Sequence, residues 1–352
     1  MSPHRPSLPT PERQVAFLQD LQRILDEGSF VATYKFALIH ALADLAVERG
    51  DDSDATLTLP TRDIAERFIQ LYWRQVAPYP GPKSAAVLRQ NTGGPAFVVK
   101  QVAEARARYG DTPLTLMTHA REWRRLVASV DGNIRKMPLW RLQLVGSQVR
   151  EFLYEQDEGA REVTLLPGVA ACFRAFHPLV VDLVEGAWSH FVRRTNPGTL
   201  GEQADLREFL FGSDRQSLAP VRDILTEVQD GYCFYCETRM RSAPAVDHFI
   251  PWWRYPTDLG HNFVLAHADC NRRKSDHLAA EAHLARWVRR NETFGGQLAA
   301  QFDLKRVRHD LGASTRIAHW AYAQLAGRQG RAWVSGDLTE PLGPRWKAVL
   351  GG

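Results

Sequence analysis

Cysteine and methionine are scarce in this chain, four of each in 352 residues, and neither sign of charge dominates, with 44 Lys and Arg against 40 Asp and Glu. A net charge of +4 gives no global field that would draw the protein onto a polyanion. Any affinity for nucleic acid therefore has to come from local clusters of cations. No uninterrupted apolar run approaches the roughly 20 residues that a membrane span needs. The opening residues 1–9 also lack the apolar core of a signal peptide. The expectation is a cytoplasmic protein with no membrane partner. No internal repeat or low-complexity tract is present, which argues against a solenoid or array. Three of the four cysteines (Cys233, Cys236, Cys270) share one short segment, while Cys172 lies far outside it. In a reducing compartment that distribution favours a metal over a disulfide framework. Cys172, between Ala171 and Phe173, reads as a core residue.

What is present is the composition of a globular protein, 44% hydrophobic and 24% charged, on a chain long enough for two domains. The first two hundred residues read mostly as helix. Thr10-Pro11 is a cap and first-turn pair, and Val15, Leu18, Leu21 and Leu25 then recur at helical spacing up to Gly28. Further helices are expected over 32–49, from Pro60-Thr61 to the proline-rich break at 78–82, and near 95–109, 113–129 and 176–194. A small hairpin is expected from 151–155 and 162–166. Asn196-Pro197-Gly198 is the best boundary candidate. After it come a lead-in helix over 217–229, a helix running from Ser275 towards Arg290, a glycine-containing break, and a helix over 314–326. The fold class is mainly α with a small α+β domain. The expected domains are a helical recognition or partner domain over 1–198, a second domain over 199–295 and a C-terminal helical appendage over 296–352.

The chemistry is concentrated between residues 232 and 276. Cys233-x-x-Cys236 puts two thiolates on a tight knuckle, and His267-x-x-Cys270 supplies a second pair at the same spacing, together a Cys3His set for tetrahedral zinc. His261 is the rival fourth ligand. The competing reading of Cys-x-x-Cys is two buried cysteines. Asp247-His248 leads into Phe249-Ile250-Pro251, a short apolar strand stopped by a proline. The plain alternative there is a surface ion pair. Asn271 opens the helical run Asn-Arg-Arg-Lys-Ser-Asp. A carboxylate from a strand and an amide oxygen from a facing helix are hard donors suited to Mg²⁺ or Mn²⁺, with His248 beside them as general base. Lys274 or Arg273 could place charge against a phosphate oxygen, or both could be solvated.

These residues resemble the HNH, or ββα-metal, endonucleases, in the branch with Asn rather than His at the third motif position. The resemblance covers about sixty residues, roughly 231–290. Asp247-His248, Asn262 and Asn271-x-x-Lys274-Ser275-Asp276 also resemble the HNH domain of RNA-guided CRISPR nucleases. The paired knuckles resemble restriction and phage-type HNH enzymes, with His267 where that family usually has Cys. The resemblance implies a zinc-stapled ββα-metal domain. In it His248 activates water, Asp247 and Asn271 hold a catalytic Mg²⁺ (or Mn²⁺), and Asn262 fixes the loop that orients His248. Cys233, Cys236, His267 and Cys270 hold the structural zinc. The implied activity is hydrolysis of DNA phosphodiester bonds, nicking or double-strand, in a setting of restriction or antiviral defence with other defence-system subunits as partners. An RNA-cleaving nuclease, a non-catalytic zinc-stapled binding module and a nuclease switched on by a partner remain open.

The nucleic-acid contacts expected are Arg272, Arg273 and Lys274 on the helix, Arg254 in Trp252-Trp253-Arg254-Tyr255, and Arg124 and Arg125. The last two share one helix face with Arg121. At least one of Trp252 and Trp253 is expected in the core, the other being available to stack on a base.

Overall fold

The computed structural model describes residues 8–351 except 29, 81–84, 95, 146–147, 158, 201–204, 213–217 and 242. The expectations for the first seven residues, for Gly81 and Pro82 and for a helix start at Ser217 fall outside them. The chain divides into two compact units, Met1–Ser213 and Asp214–Gly352. The described residues are mainly helical, with small antiparallel two-stranded sheets. None of their helices is long and apolar enough to cross a membrane.

The first unit is organised by the helix Tyr34–Arg49, buried on nearly every side. A helix with no exposed face must be enclosed on all sides, its polar His40, Asp44 and Glu48 included, and Thr61–Gln75, Val169–Ala175 and His177–Thr195 pack around it. Its C-terminal carbonyls are capped by the buried Arg174. That guanidinium donates to the Val47 and Gly50 oxygens at 2.8 and 3.1 Å and pairs with Asp52 at 2.6 Å. The helix Pro11–Glu27 begins as its sequence predicts, with Thr10 Oγ1 accepting from Arg13 N at 3.4 Å. Cys172 is core.

Three expectations for this unit are corrected. The helix foreseen over 113–129 is two, Pro113–Met117 and Ala120–Lys136. They part at Thr118-His119, whose side chains both bond the Thr115 carbonyl, at 2.8 and 2.9 Å, and so compete with helix continuation. Glu162–Leu165 pairs antiparallel with Leu57–Pro60, Leu57 facing Leu165, and the hairpin expected with 151–155 is reduced to the single antiparallel bridge Tyr154–Leu165 and the bond from Leu166 N to Leu153 O at 2.9 Å. The Gln143 side chain takes the Phe152 and Leu153 amides at 2.9 and 2.8 Å, removing donors that a hairpin would need. Asn196 is no linker. It is buried, with its amide fixed to both the N–H and the C=O of Arg89 at 2.8 and 2.9 Å, and helix Leu206–Phe211 then packs back onto the same unit.

A buried charge network crosses the core of this unit. His40 lies 3.3 Å from Asp44 and 3.5 Å from Glu185; Asp44 also meets His177 at 2.9 Å, and Arg67 joins Glu48 at 2.6 Å. Burial opposes protonation of His40, but Asp44 and Glu185 outweigh it and hold the imidazole up at about 9. A folded-state value above the ordinary 6.5 stabilises most fully below 6.5, and that contribution is lost as pH rises through about 9. The apparent unfolding temperature should therefore fall across this window. His40→Gln should flatten the slope, as differential scanning calorimetry at stepped pH would show.

The second unit contains helix Ala219–Val228, the antiparallel strands Ala245–His248 and Phe263–Ala266, and helix Ala268–Lys274. Helices Glu281–Lys305 and Leu311–Gly327 and a hairpin of Arg331–Ser335 with Leu338–Pro341 follow. Val221, Ile224, Leu225, Phe263, Leu265, Leu298 and Phe302 form one core cluster. No helix runs on from Ser275. That residue takes φ +49° and ends Ala268–Lys274. The next helix passes unbroken through Gly295-Gly296, where a break was expected. A Cβ on Gly295 would come within 3.0 Å of Leu311, so the glycine serves close packing there rather than a turn. Residues after 296 belong to the same compact unit. Trp333 of the hairpin meets Tyr235 edge-on at 5.2 Å and stacks on His283 at 5.5 Å.

Candidate metal centre and the adjoining cleft

Cys233, Cys236, His267 and Cys270 converge, their ligand atoms all within 4.8 Å of one another. A tetrahedral zinc with Zn–S of about 2.3 Å needs ligands roughly 3.8 Å apart, so the group fits the ion with small adjustments. The sequence positions it through two tight pieces. In the first knuckle Cys233 N bonds Thr238 O at 3.0 Å, Glu237 N bonds Cys233 O at 2.9 Å, and Glu237 takes φ +56°. The second pair straddles the start of helix Ala268–Lys274, His267 at the N-cap and Cys270 in the first turn. Phe234 N donates to Leu265 O at 2.9 Å, tying the first knuckle to the strand that feeds the second.

The thiols are electrostatically uneven. Burial pushes Cys236 up, but contacts with Thr238, Cys233 and His267 prevail and bring it down to about 6. Burial, with Cys233 and Cys236 adding to it, pushes Cys270 up to about 12. Three crowded thiols and an imidazole can all act as ligands once a cation balances them, which is the donor chemistry of structural zinc. This Cys3His cluster can hold zinc. His261 is not part of it. It is buried, with Nε2 at 3.1 Å from the Gly295 carbonyl and its ring against Phe302 and His309.

Beside the cluster, strand Ala245–His248, its antiparallel partner and helix Ala268–Lys274 form a ββα arrangement. An open cleft of about 510 Å³ is lined by Asp247, His248, Asp258, Asn271, Ser275 and Asp276, with Trp252 and Trp253 among its other walls. Asp247, His248 and Asn271 are thus brought together. His248 is held on three sides: Nε2 lies 2.7 Å from Asp258 Oδ1, and the ring packs edge-on against Phe263 at 4.8 Å and Trp252 at 5.3 Å.

Asn262 braces the loop after His248. Its Oδ1 accepts from Ile250 N at 2.8 Å, its Nδ2 donates to Ile250 O at 3.0 Å, and its carbonyl accepts from Phe249 N at 2.8 Å. The turn carrying Asn262 is itself locked. Arg290 is buried and donates to the carbonyls of Phe263 and His261, both at 2.6 Å. Burial drives that guanidinium down to about 9. Gly260 admits the Phe302 ring, which a Cβ would approach to 2.5 Å.

Lys274 was expected to face phosphate and does not. It is wholly buried, 3.0 Å from Asp247 Oδ2 and 3.0 Å from the His248 carbonyl, while the Tyr235 hydroxyl donates to the same carboxylate oxygen at 2.5 Å. The spacing that puts Asn271 on the cleft turns Lys274 beneath the strand. Lys274→Met should leave Asp247 buried without its cation and cost about 3–5 kcal/mol. Chemical denaturation of the full chain would measure it, and a change under 1 kcal/mol would contradict the pairing.

Arg272 and Arg273 are exposed and pair with Asp269; Arg273 also reaches Asp337 at 3.0 Å. Arg254 is partly buried, and burial lowers its pKa. Neither Trp252 nor Trp253 is fully core: Trp252 is half-buried against His248 and Trp253 is 74% exposed, while Tyr255 supplies the buried ring. Arg121, Arg124 and Arg125 lie exposed on Ala120–Lys136 of the first unit. Asp258 and Tyr235 were not foreseen. One is an acidic residue in a polar loop and the other an aromatic inside a knuckle, and only the fold shows what each touches.

A family model described as Domain of unknown function (DUF8808) matches residues 14–205, more than half the chain, and the chain belongs to that family. The match falls within the first unit, whereas the metal cluster and cleft lie in the second. None of the curated proteins and none of the solved structures matches the chain.

Proposed function

We propose that the second unit is an HNH-type, metal-dependent endonuclease acting on DNA. The observation that carries this reading is the convergence of Asp247, His248 and Asn271 on one cleft of a ββα arrangement, beside a cluster that can hold zinc. Asp247 and Asn271 would hold Mg²⁺ or Mn²⁺. One Asp247 oxygen is engaged by Tyr235 and Lys274, which leaves Oδ1 as its donor. When bound, the ion supplies positive charge against the phosphoryl oxygens and the departing 3′ oxygen, the largest source of rate in such a reaction. His248, neutral, takes a proton from water. The water oxygen bonds to phosphorus as the bond to the 3′ oxygen breaks, and solvent protonates the departing oxygen. Asn262, through the Ile250 backbone, holds the segment on which His248 rides.

The three carboxylates of the cleft, Asp247, Asp258 and Asp276, support a cation there, since a bare phosphate would be repelled. A second reading, a zinc-stapled binding module without catalysis, is favoured by the Lys274–Asp247 pair, an internal cation already neutralising the proposed ligand. Supercoiled plasmid incubated with Mg²⁺ or Mn²⁺ separates the two. The endonuclease converts it to nicked or linear product; the binding module retards it in a gel and leaves it intact.

A further inference from the structure

His248 has two ring nitrogens, and a general base needs one of them free of its proton. Nε2 is engaged by Asp258 Oδ1 at 2.7 Å, and Nδ1 has no hydrogen-bond partner among the described residues. A carboxylate can only accept here, so the contact is satisfied when Nε2 carries the proton. We propose that Asp258 is the positioning residue of His248, accepting the Nε2 proton and thereby fixing the tautomer whose bare Nδ1 receives the proton of the attacking water. The proposal rests on the endonuclease reading.

The placement of Asp258 is built into the backbone. It lies ten residues after His248 on a loop fastened on both sides. Thr257 N bonds Tyr255 O at 2.8 Å, Asn262 N bonds Leu259 O at 2.8 Å, and Gly260 N bonds Arg308 O at 2.8 Å. Its neighbours Thr257 and Leu259 are buried, whereas its own side chain keeps 17% exposure, equal to that of His248. The pair therefore sits at the cleft wall rather than on open surface, where a mobile ion pair would fix little. Phe263 and Trp252 meet the imidazole edge-on and limit its tilt, and Asp258 selects which nitrogen faces the carboxylate. Free imidazole populates both tautomers, so without this contact part of the population would offer a protonated nitrogen to water. An amide in place of the carboxylate can either accept from Nε2 or donate to it, so the preference is lost.

The test uses the full chain, labelled with ¹⁵N-histidine, at about pH 8, where an ordinary imidazole of pKa about 6.5 is neutral. Long-range ¹H–¹⁵N spectra report, for each of the 12 histidines, whether the ring is charged or which neutral tautomer it takes, and His248→Gln identifies the signal of interest. The expected result is the Nε2–H form in the wild type, with the preference lost in Asp258→Ala and Asp258→Asn. In parallel, cleavage kcat at saturating Mg²⁺ should fall about 10–100-fold in Asp258→Ala, with KM for DNA changing less than about threefold and zinc content unchanged. An Nδ1–H tautomer in the wild type overturns the proposal, and so does wild-type kcat in Asp258→Ala. A variant whose kcat is restored by raising Mg²⁺ identifies Asp258 as a metal ligand and overturns it too. If the wild type cleaves no substrate, the endonuclease reading fails, and the tautomer spectra alone decide whether Asp258 fixes His248.

Discussion

Cys233→Ser is expected to lose the bound zinc and a large part of the stability of the second unit. Cys233 is the buried member of the cluster, and its sulfur also accepts the His267 backbone N–H at 3.4 Å, so serine removes a ligand and loosens the N-cap of helix Ala268–Lys274 together. Structural zinc contributes on the order of 10 kcal/mol in small zinc-binding peptides. Here the apolar cluster around Phe263 and Phe302 retains part of the fold, and a loss of several kcal/mol is expected. Elemental analysis should show about one zinc per chain in the wild type and far less in the variant, with a lower unfolding midpoint. Cys172→Ser, in the core of the other unit, should keep its zinc. Equal metal content in Cys233→Ser and the wild type would refute the assignment of this cluster.

His248→Ala should lower the cleavage rate by about 10²–10⁴-fold, the usual contribution of a positioned general base, while DNA affinity and zinc content stay near those of the wild type. The separation of effects follows from where the ring sits. His248 lines the cleft and holds no backbone group through its side chain, whereas the neighbouring Asn262 pins Ile250 and Lys274 reaches the His248 carbonyl rather than its ring. Truncating the imidazole removes a base and leaves the scaffold. Asn262→Ala should behave differently, since it frees two backbone groups and disturbs folding and activity together.

The zinc cluster was legible in the sequence because equal x-x spacings are a local property that survives folding: a knuckle and a helical first turn both bring residues three apart together. Asp247, His248 and Asn271 were legible as candidates for the same reason, strand position and helix position being readable from short patterns. Lys274 was misplaced because Asn271 and Lys274, three apart, do not both face the cleft, and the helix ends at Ser275. No sequence period tells which face of a two-turn helix meets the strand. Asp258 was invisible because its importance comes from a loop tied down by Arg308, some fifty residues later. The same limit explains the strand Glu162–Leu165, whose partner lies at Leu57–Pro60, and the helix through Gly295-Gly296, where packing against Leu311 overrides the intrinsic cost of glycine. The start of Pro11–Glu27 is legible from its Thr10 cap, whereas helix Leu206–Phe211 is not, although Asp205 caps it by accepting from Glu208 N at 3.0 Å. Nor does the pattern show where side chains such as Gln143 and Thr118 take backbone partners.

The most direct measurement of the central claim is cleavage of supercoiled DNA, modified and unmodified, by the wild-type full chain beside His248→Ala, with Mg²⁺, Mn²⁺ or EDTA and with matched RNA as a parallel substrate. The account predicts nicked or linear DNA from the wild type with either metal, none with EDTA, and almost none from His248→Ala. Intact DNA in every lane of a zinc-loaded, folded wild-type protein, or equal cleavage by His248→Ala, would contradict it.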